Sequence, residues 1–178
     1  MADTAFANKA AMGGMAEVAL GKMAADKSKD TKVKDFGDLM VKDHGKANDE
    51  LASIAKSENI QLPTSLDAKH QALSDSLSKL SGKAFDKAYV NAMLEGHKQT
   101  LALLQDEAAN GKDPQLKAFA VNTATVVQGH LDKIEKIHDG MKEDISGRCA
   151  NGPAFEGINA HGRSGRSGLI GSVPLSDR

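Results

Sequence analysis

At 178 residues the chain can bury one sizeable core but not two. With aromatics at 3%, no Trp and one Tyr, that core must be filled by Leu, Ala, Val, Met and Ile, which suits helices packed on helices and disfavours a β-sandwich. A net charge of -1, with lysines interspersed among acids, offers no field that would attract nucleic acid.

The single cysteine, Cys149, excludes an intramolecular disulfide framework and a cysteine-based zinc cluster. No run reaches the roughly 18 to 20 apolar residues of a membrane span. Met1 leads straight into Asp3 and Thr4 without a basic or an apolar region, so no signal peptide is expected. The same start reads as a mature exported chain with an initiator Met placed before it.

Helical periodicity begins at once. The first helix is expected over Thr4 to Ala25, capped by Asp3 or Thr4, with a stripe of Phe6, Ala10, Gly13 or Gly14, Glu17, Leu20 or Gly21, and Ala24. Small residues dominate it and allow close helix approach. Glu17 falls on that stripe, where an isolated carboxylate costs several kcal/mol unless it is paired, protonated or bound to a cation. The second helix starts after Ser28 or Asp30 and runs to about Ser57, with Val33, Phe36, Met40, His44, Ala47, Leu51 and Ile54 at steps of three and four. His44 replaces an apolar residue in this regular stripe. Lys42, Asp43, Lys46 and Asp49 are assigned to the solvent face. Asn59 to Ser65, with Pro63, ends the helix.

A long connection follows, with a short helix capped by Thr64 or Ser65, carrying Leu66, Leu73, Leu77 and Leu80, and stopped by Ser81-Gly82. A connection of this length can cross from one end of a bundle to the other. The third long helix is expected from Ala84 to Ala109, with Phe85, Tyr89, Met93, His97 and Leu104 on one face and Asn110-Gly111 as its stop. The fourth has Asp113 as cap and Pro114 at its first position. Its stripe reads Leu116, Phe119 or Ala120, Thr123, Val127, His130, Ile134, Ile137 or His138, and Met141.

These elements predict an all-α four-helix bundle with ferritin-like connectivity over residues 1–146, with the short extra helix in the crossover. From Gly147 onward there are seven Gly and two Pro, and the basic residues change from lysine to arginine: all 19 Lys precede this point, all four Arg follow it. Residues 147–178 are expected to form a flexible tail, either a basic extension or a segment foreign to the natural chain.

Glu17, His44, His97 and His130 lie near the midpoints of four different helices. Counted from the turns that join them, Glu17 and His44 differ in depth by about four residues, and His97 and His130 by about five, or roughly 6 to 8 Å. The four are therefore expected to converge. Three imidazoles and a carboxylate suit Zn, Cu, Fe or Mn. Each histidine also has a glycine beside it, Gly45, Gly96 and Gly129, which suggests close backbone packing or room for a ligand at this layer. A buried Glu/His hydrogen-bond network that fixes helix register is the competing reading of the same residues. Glu135 and His138 form one ExxH pattern, but a di-iron bundle needs two. No Walker A loop, Rossmann glycine pattern or serine elbow is present, so no catalytic residue and no organic cofactor is assigned.

The segments GGMAEVALGKMA, VKDFGDLMVKDHGKANDELASIA, LP and LSGKAFDKAYV, with GH in the third long helix and GHL in the fourth, resemble the bacterial domain of unknown function forty-one forty-two. The resemblance covers about Thr4 to Met141. It implies a ferritin-like helical bundle in proteins commonly exported to the periplasm or outer-membrane side, with no established activity. Glu17, His44, His97 and His130 match the recurrent polar positions of that family. The resulting expectation is an exported helical bundle that binds one transition-metal ion through these four residues. The alternative is a non-enzymatic structural or stress-related module with an envelope or protein partner.

Overall fold

Apolar residues at steps of three and four become helices wherever a side chain or a special backbone conformation satisfies their ends. The computed structural model describes the backbone of residues 3–150 and the side chains of residues 3–142. Among these there are five helices and no strand: α1 (Asp3–Lys27), α2 (Thr31–Ser57), α3 (Ala68–Ser78), α4 (Gly82–Asn110) and α5 (Pro114–Ala150). Of the tail expected over residues 147–178, the first four residues continue α5, which runs to Ala150; the rest lies outside the described residues.

The caps explain most boundaries. The Asp30 carboxylate accepts from the Lys32 and Val33 amides at 2.8 and 3.4 Å, and that of Asp113 from Gln115 and Leu116 at 2.9 and 2.8 Å. Both satisfy donors that the first turn of a helix leaves free. α2 ends in a Schellman motif: Ile60 N–H donates to Ala55 O at 2.8 Å, made possible by Asn59 at φ 53°.

Three expectations are corrected. Asp3 and Thr4 both lie within α1, so neither is its cap, and the Asp3 carboxylate accepts instead from the Lys112 and Asp113 amides, tying α1 to the α4–α5 turn. α3 is capped by Asp67, which accepts from His70 N at 2.8 Å, so Thr64, Ser65 and Leu66 precede the helix. Gly82, at φ 55°, begins α4 instead of closing α3, which is capped by Lys79.

Two apolar clusters hold the long helices together. One gathers Leu20, Val33, Phe36, Met40, Phe85, Tyr89, Met93 and Ile134; the other gathers Phe6, Leu51, Leu104, Leu116, Phe119 and Val127. α1 and α5 run from the second cluster to the first, whereas α2 and α4 run the opposite way. The chain therefore leaves α2 at one end and re-enters α4 at the other, and the segment containing α3 makes that crossing. α1 packs along α2 and α4 along α5; α1 with α4 and α2 with α5 meet less extensively. α3 lies against α1 and α4, where Lys27 donates to the Ser78 carbonyl and sits 5.4 Å from the centre of the Phe85 ring.

The small residues of α1 act as expected at one crossing. A Cβ on Gly21 would lie 2.7 Å from the Gly37 carbonyl, and one on Gly37 would lie 2.7 Å from the Gly21 carbonyl. Glycine on both sides thus lets the two backbones touch. Gly45 and Gly129 differ, since a Cβ there would meet nothing within 4 Å; they contribute no close packing beside their histidines. Gly37→Ala is expected to destabilise the protein by about 1–3 kcal/mol through overpacking. Gly129→Ala is expected to stabilise it by about 0.8–1 kcal/mol, the helix-propensity difference. Urea denaturation of the two variants beside the parent protein checks both signs.

Candidate metal centre

Between the two apolar clusters lies a polar layer to which each long helix contributes one side chain: Glu17 from α1, His44 from α2, His97 from α4 and His130 from α5. All four are buried. The imidazole rings form a nearly equilateral triangle, with centroids 5.7 Å apart for His44 and His97, 5.4 Å for His44 and His130, and 5.5 Å for His97 and His130. The ring of Phe36 packs on two of them, 5.8 Å from His97 and 6.4 Å from His130.

Hydrogen bonds orient two of the rings. His97 Nδ1 lies 2.8 Å from the Met93 carbonyl one turn earlier. A carbonyl only accepts, so Nδ1 carries the proton and Nε2 presents a lone pair. His130 Nε2 lies 2.9 Å from Asp43 Oδ2, which puts its proton on Nε2 and its lone pair on Nδ1. The nitrogens left without a partner are His97 Nε2, His130 Nδ1 and His44 Nε2. One nitrogen of each ring lies within 4.8 Å of those of the other two, and the three histidines form the one cluster of ligand type found among the described residues. Metal–nitrogen bonds of about 2.0–2.1 Å require nitrogens about 3.5 Å apart, so movements of about an ångström would close the triangle around an ion.

Burial disfavours positive charge on every ring. It pushes His44 down to about 3, with the neighbouring charges of His97 and His130 acting in the same direction. His97 falls to about 4 by desolvation, opposed by its bond to Met93. His130 is lowered by the same cause, opposed by Asp43. At neutral pH all three are uncharged bases, the form that binds metal.

Glu17 reaches the layer from a different side. Its Oε1 lies 3.7 Å from His97 Nδ1, the nitrogen already committed to Met93, and it stands outside the three-nitrogen cluster. Desolvation raises its carboxyl to about 8, so it is predominantly a neutral acid at pH 7. A cavity of about 30 Å³ connects its surroundings with His44 and is bordered by Asn48, Thr100 and Thr123. That is room enough for a water molecule. On the other side of the layer a cleft of about 320 Å³ between α2 and α5 opens to solvent, lined by Asp43, His44, Glu50, Asn122, Val126 and His130 among others.

Asp43 is a correction. Assigned to the solvent face of α2, it is half-buried and bonded to His130. Position in the α2 stripe could not reveal this, because it depends on α5 being the neighbour on that side. His138 pairs at 3.5 Å with Asp139, so the single ExxH pattern takes no part in the layer.

The family model for the domain of unknown function DUF4142 matches residues 1–137. The chain belongs to this family. No curated protein matches it in sequence. Three solved structures are similar in fold. CopM in the Cu(I)-bound form gives a TM-score of 0.67 at 12% identity, covering 79% of this chain and 98% of that one. A DUF305 fragment from Deinococcus radiodurans gives 0.69 at 11% identity, covering 77% and 95%. A DUF305 protein from Streptomyces coelicolor, described as secreted, gives 0.59 at 16% identity, covering 89% and 97%. At these identities the likeness shows a shared helical fold. No helix among the described residues is long and apolar enough to cross a membrane.

The buried charges predict a stability profile for the metal-free protein. The histidines are lowered from 6.5, so below that pH the unfolded chain binds more protons and stability falls with acidification. Glu17 is raised from 4.5 to about 8, so between those values the folded chain keeps a proton the unfolded chain has lost, and stability falls as pH rises. Burial raises Glu107 in the same sense. Three imidazoles outweigh the carboxyls below about pH 6.5, and only the carboxyls act above it. Urea midpoints are expected to peak near pH 6.5 and decline towards pH 8, with Glu17→Gln flattening the decline. Midpoints that keep rising to pH 8 would show Glu17 ionised in the folded protein.

Proposed function

We propose that this protein is a soluble, exported helical bundle of ferritin-like connectivity that holds one transition-metal ion in its core. It binds through His44, His97 and His130, with Glu17 beside them, and it stores, buffers or senses the metal without catalysing a reaction. The observation that carries this reading is a set of three buried imidazole nitrogens left without partners, on rings that each offer one nitrogen within 4.8 Å of the other two. A network that only fixed helix register would be expected to pair them with one another or with hydroxyls, since an unpaired buried polar atom costs about 1–3 kcal/mol. The other nitrogens of His97 and His130 are bonded, to the Met93 carbonyl and to Asp43, as the second nitrogen of a metal-binding histidine usually is.

The donor set narrows the candidates. Imidazoles suit zinc, copper and iron, while manganese prefers more oxygen ligands. The fold shared with CopM in its Cu(I)-bound form adds weight to copper. Export rests on the family resemblance and on the similarity to the Streptomyces coelicolor protein described as secreted. The crossing made by the α3 segment supports the ferritin-like connectivity.

Elemental analysis of protein purified without an affinity metal, then titrated with zinc, copper or iron, tests the reading. About one equivalent is expected for the parent protein, and less than about a tenth for His44→Ala and His97→Ala, each of which removes one of three ligands. Asp43→Asn is expected to weaken binding by about 10–100-fold, the usual cost of losing a partner of a ligating histidine. Failure of the parent protein to take up any of these metals would leave the hydrogen-bond network as the role of the layer.

A further inference from the structure

The three-imidazole centre brings no charge of its own to offset that of a bound ion. We propose that it is built for a monovalent d¹⁰ ion, Cu(I), in preference to a divalent one. This inference rests on the metal-binding reading above and specifies the class of ion it takes.

The converging donors are neutral. Among the described residues the cluster contains three histidines and no carboxylate. Glu17 lies nearest His97 at Nδ1, 3.7 Å away, whereas the nitrogen of that ring left without a partner is Nε2. Glu17 therefore stands outside the cluster, beside a nitrogen already bonded to the Met93 carbonyl. The carboxylate hydrogen-bonded to a ring of the cluster is Asp43, through His130, and the Lys133 charge partly offsets it. That compensation suits a monovalent ion better than a divalent one, which leaves more positive charge in the core.

The surroundings amplify the difference. Apolar clusters close the layer above and below, and Phe36 packs against two of the ligand rings. The cost of moving an ion from water into such an interior grows with the square of its charge, so a divalent ion costs about four times as much as a monovalent one of the same size. One helical turn from His44 and His97, on the same stripes, the core places Met40 and Met93, both fully buried. Their thioethers are polarisable and uncharged, which favours a soft ion without neutralising a hard one.

Coordination number agrees with charge. Three donors from three helices form a trigonal set, and a d¹⁰ monovalent ion is satisfied by three ligands. Divalent zinc requires a fourth, as water in the small cavity beside His44 or as a displaced Glu17.

The test is equilibrium titration of the metal-free, full-length chain without oxygen, using Cu(I), Ag(I) as a redox-silent probe, Zn(II) and Cu(II), each against a chelator of known affinity. The expected result is one equivalent of Cu(I) or Ag(I), held at least about a hundredfold more tightly than Zn(II). Bound copper is expected to have a midpoint potential above that of the free aqueous couple, because the reduced ion is bound more tightly. Glu17→Gln is expected to leave Ag(I) affinity within about threefold of the parent value. Zn(II) or Cu(II) bound as tightly as the monovalent ions, or loss of Ag(I) binding in a folded Glu17→Gln variant, would overturn the inference while leaving metal binding intact. Absence of binding by all four ions would overturn both.

Discussion

The structure depends on the cost of burying imidazole. Three rings stand in the middle of a helical core, between apolar clusters that could have been joined into one. Each ring must remain uncharged to be there, and burial enforces that by holding the histidines well below their ordinary range. Neutrality leaves one lone pair per ring, and its direction is decided by where the other nitrogen finds a partner. Met93 and Asp43 make that choice for His97 and His130, leaving the lone pairs on Nε2 and Nδ1 respectively. The result is a layer that gives up hydrogen-bonding stability and gains a set of convergent donors.

Helix packing brings the layer together. The Gly21 and Gly37 backbones touch, drawing α1 and α2 close and setting Glu17 and His44 at one depth. The α3 segment returns the chain to the other end, so α4 runs parallel to α2 and delivers His97 from the same direction as His44. α5 then returns antiparallel with His130. A direct turn from α2 into α4 would have made α4 antiparallel to α2. The connection is thus part of the site, although none of its residues enters the layer.

Glu17 occupies a different chemical position from the histidines, despite sharing their depth. Its carboxyl faces the side of His97 that is already hydrogen-bonded, and its environment favours the protonated form. A neutral acid there adds polarity without adding charge. The anionic partner of the layer is Asp43, which lies at the edge of the α2–α5 cleft, where solvent reduces the cost of its charge.

The sequence by itself determined the helices, because amphipathic periodicity and caps such as Asp30 and Asp113 are local properties of the chain. It also determined which face of each long helix turns inward, and so identified Glu17, His44, His97 and His130 as buried. Where a boundary depended on competing local caps, as at Asp67 or Gly82, the reading was displaced by a few residues. Only the tertiary structure decided which helices are neighbours. That placed Asp43 against His130, set Glu17 behind His97, and left Gly45 and Gly129 facing open space. Hydrogen bonds between residues 87 positions apart, as between Asp43 and His130, leave no trace in periodicity. The position of the His130 lone pair is fixed by just such a bond.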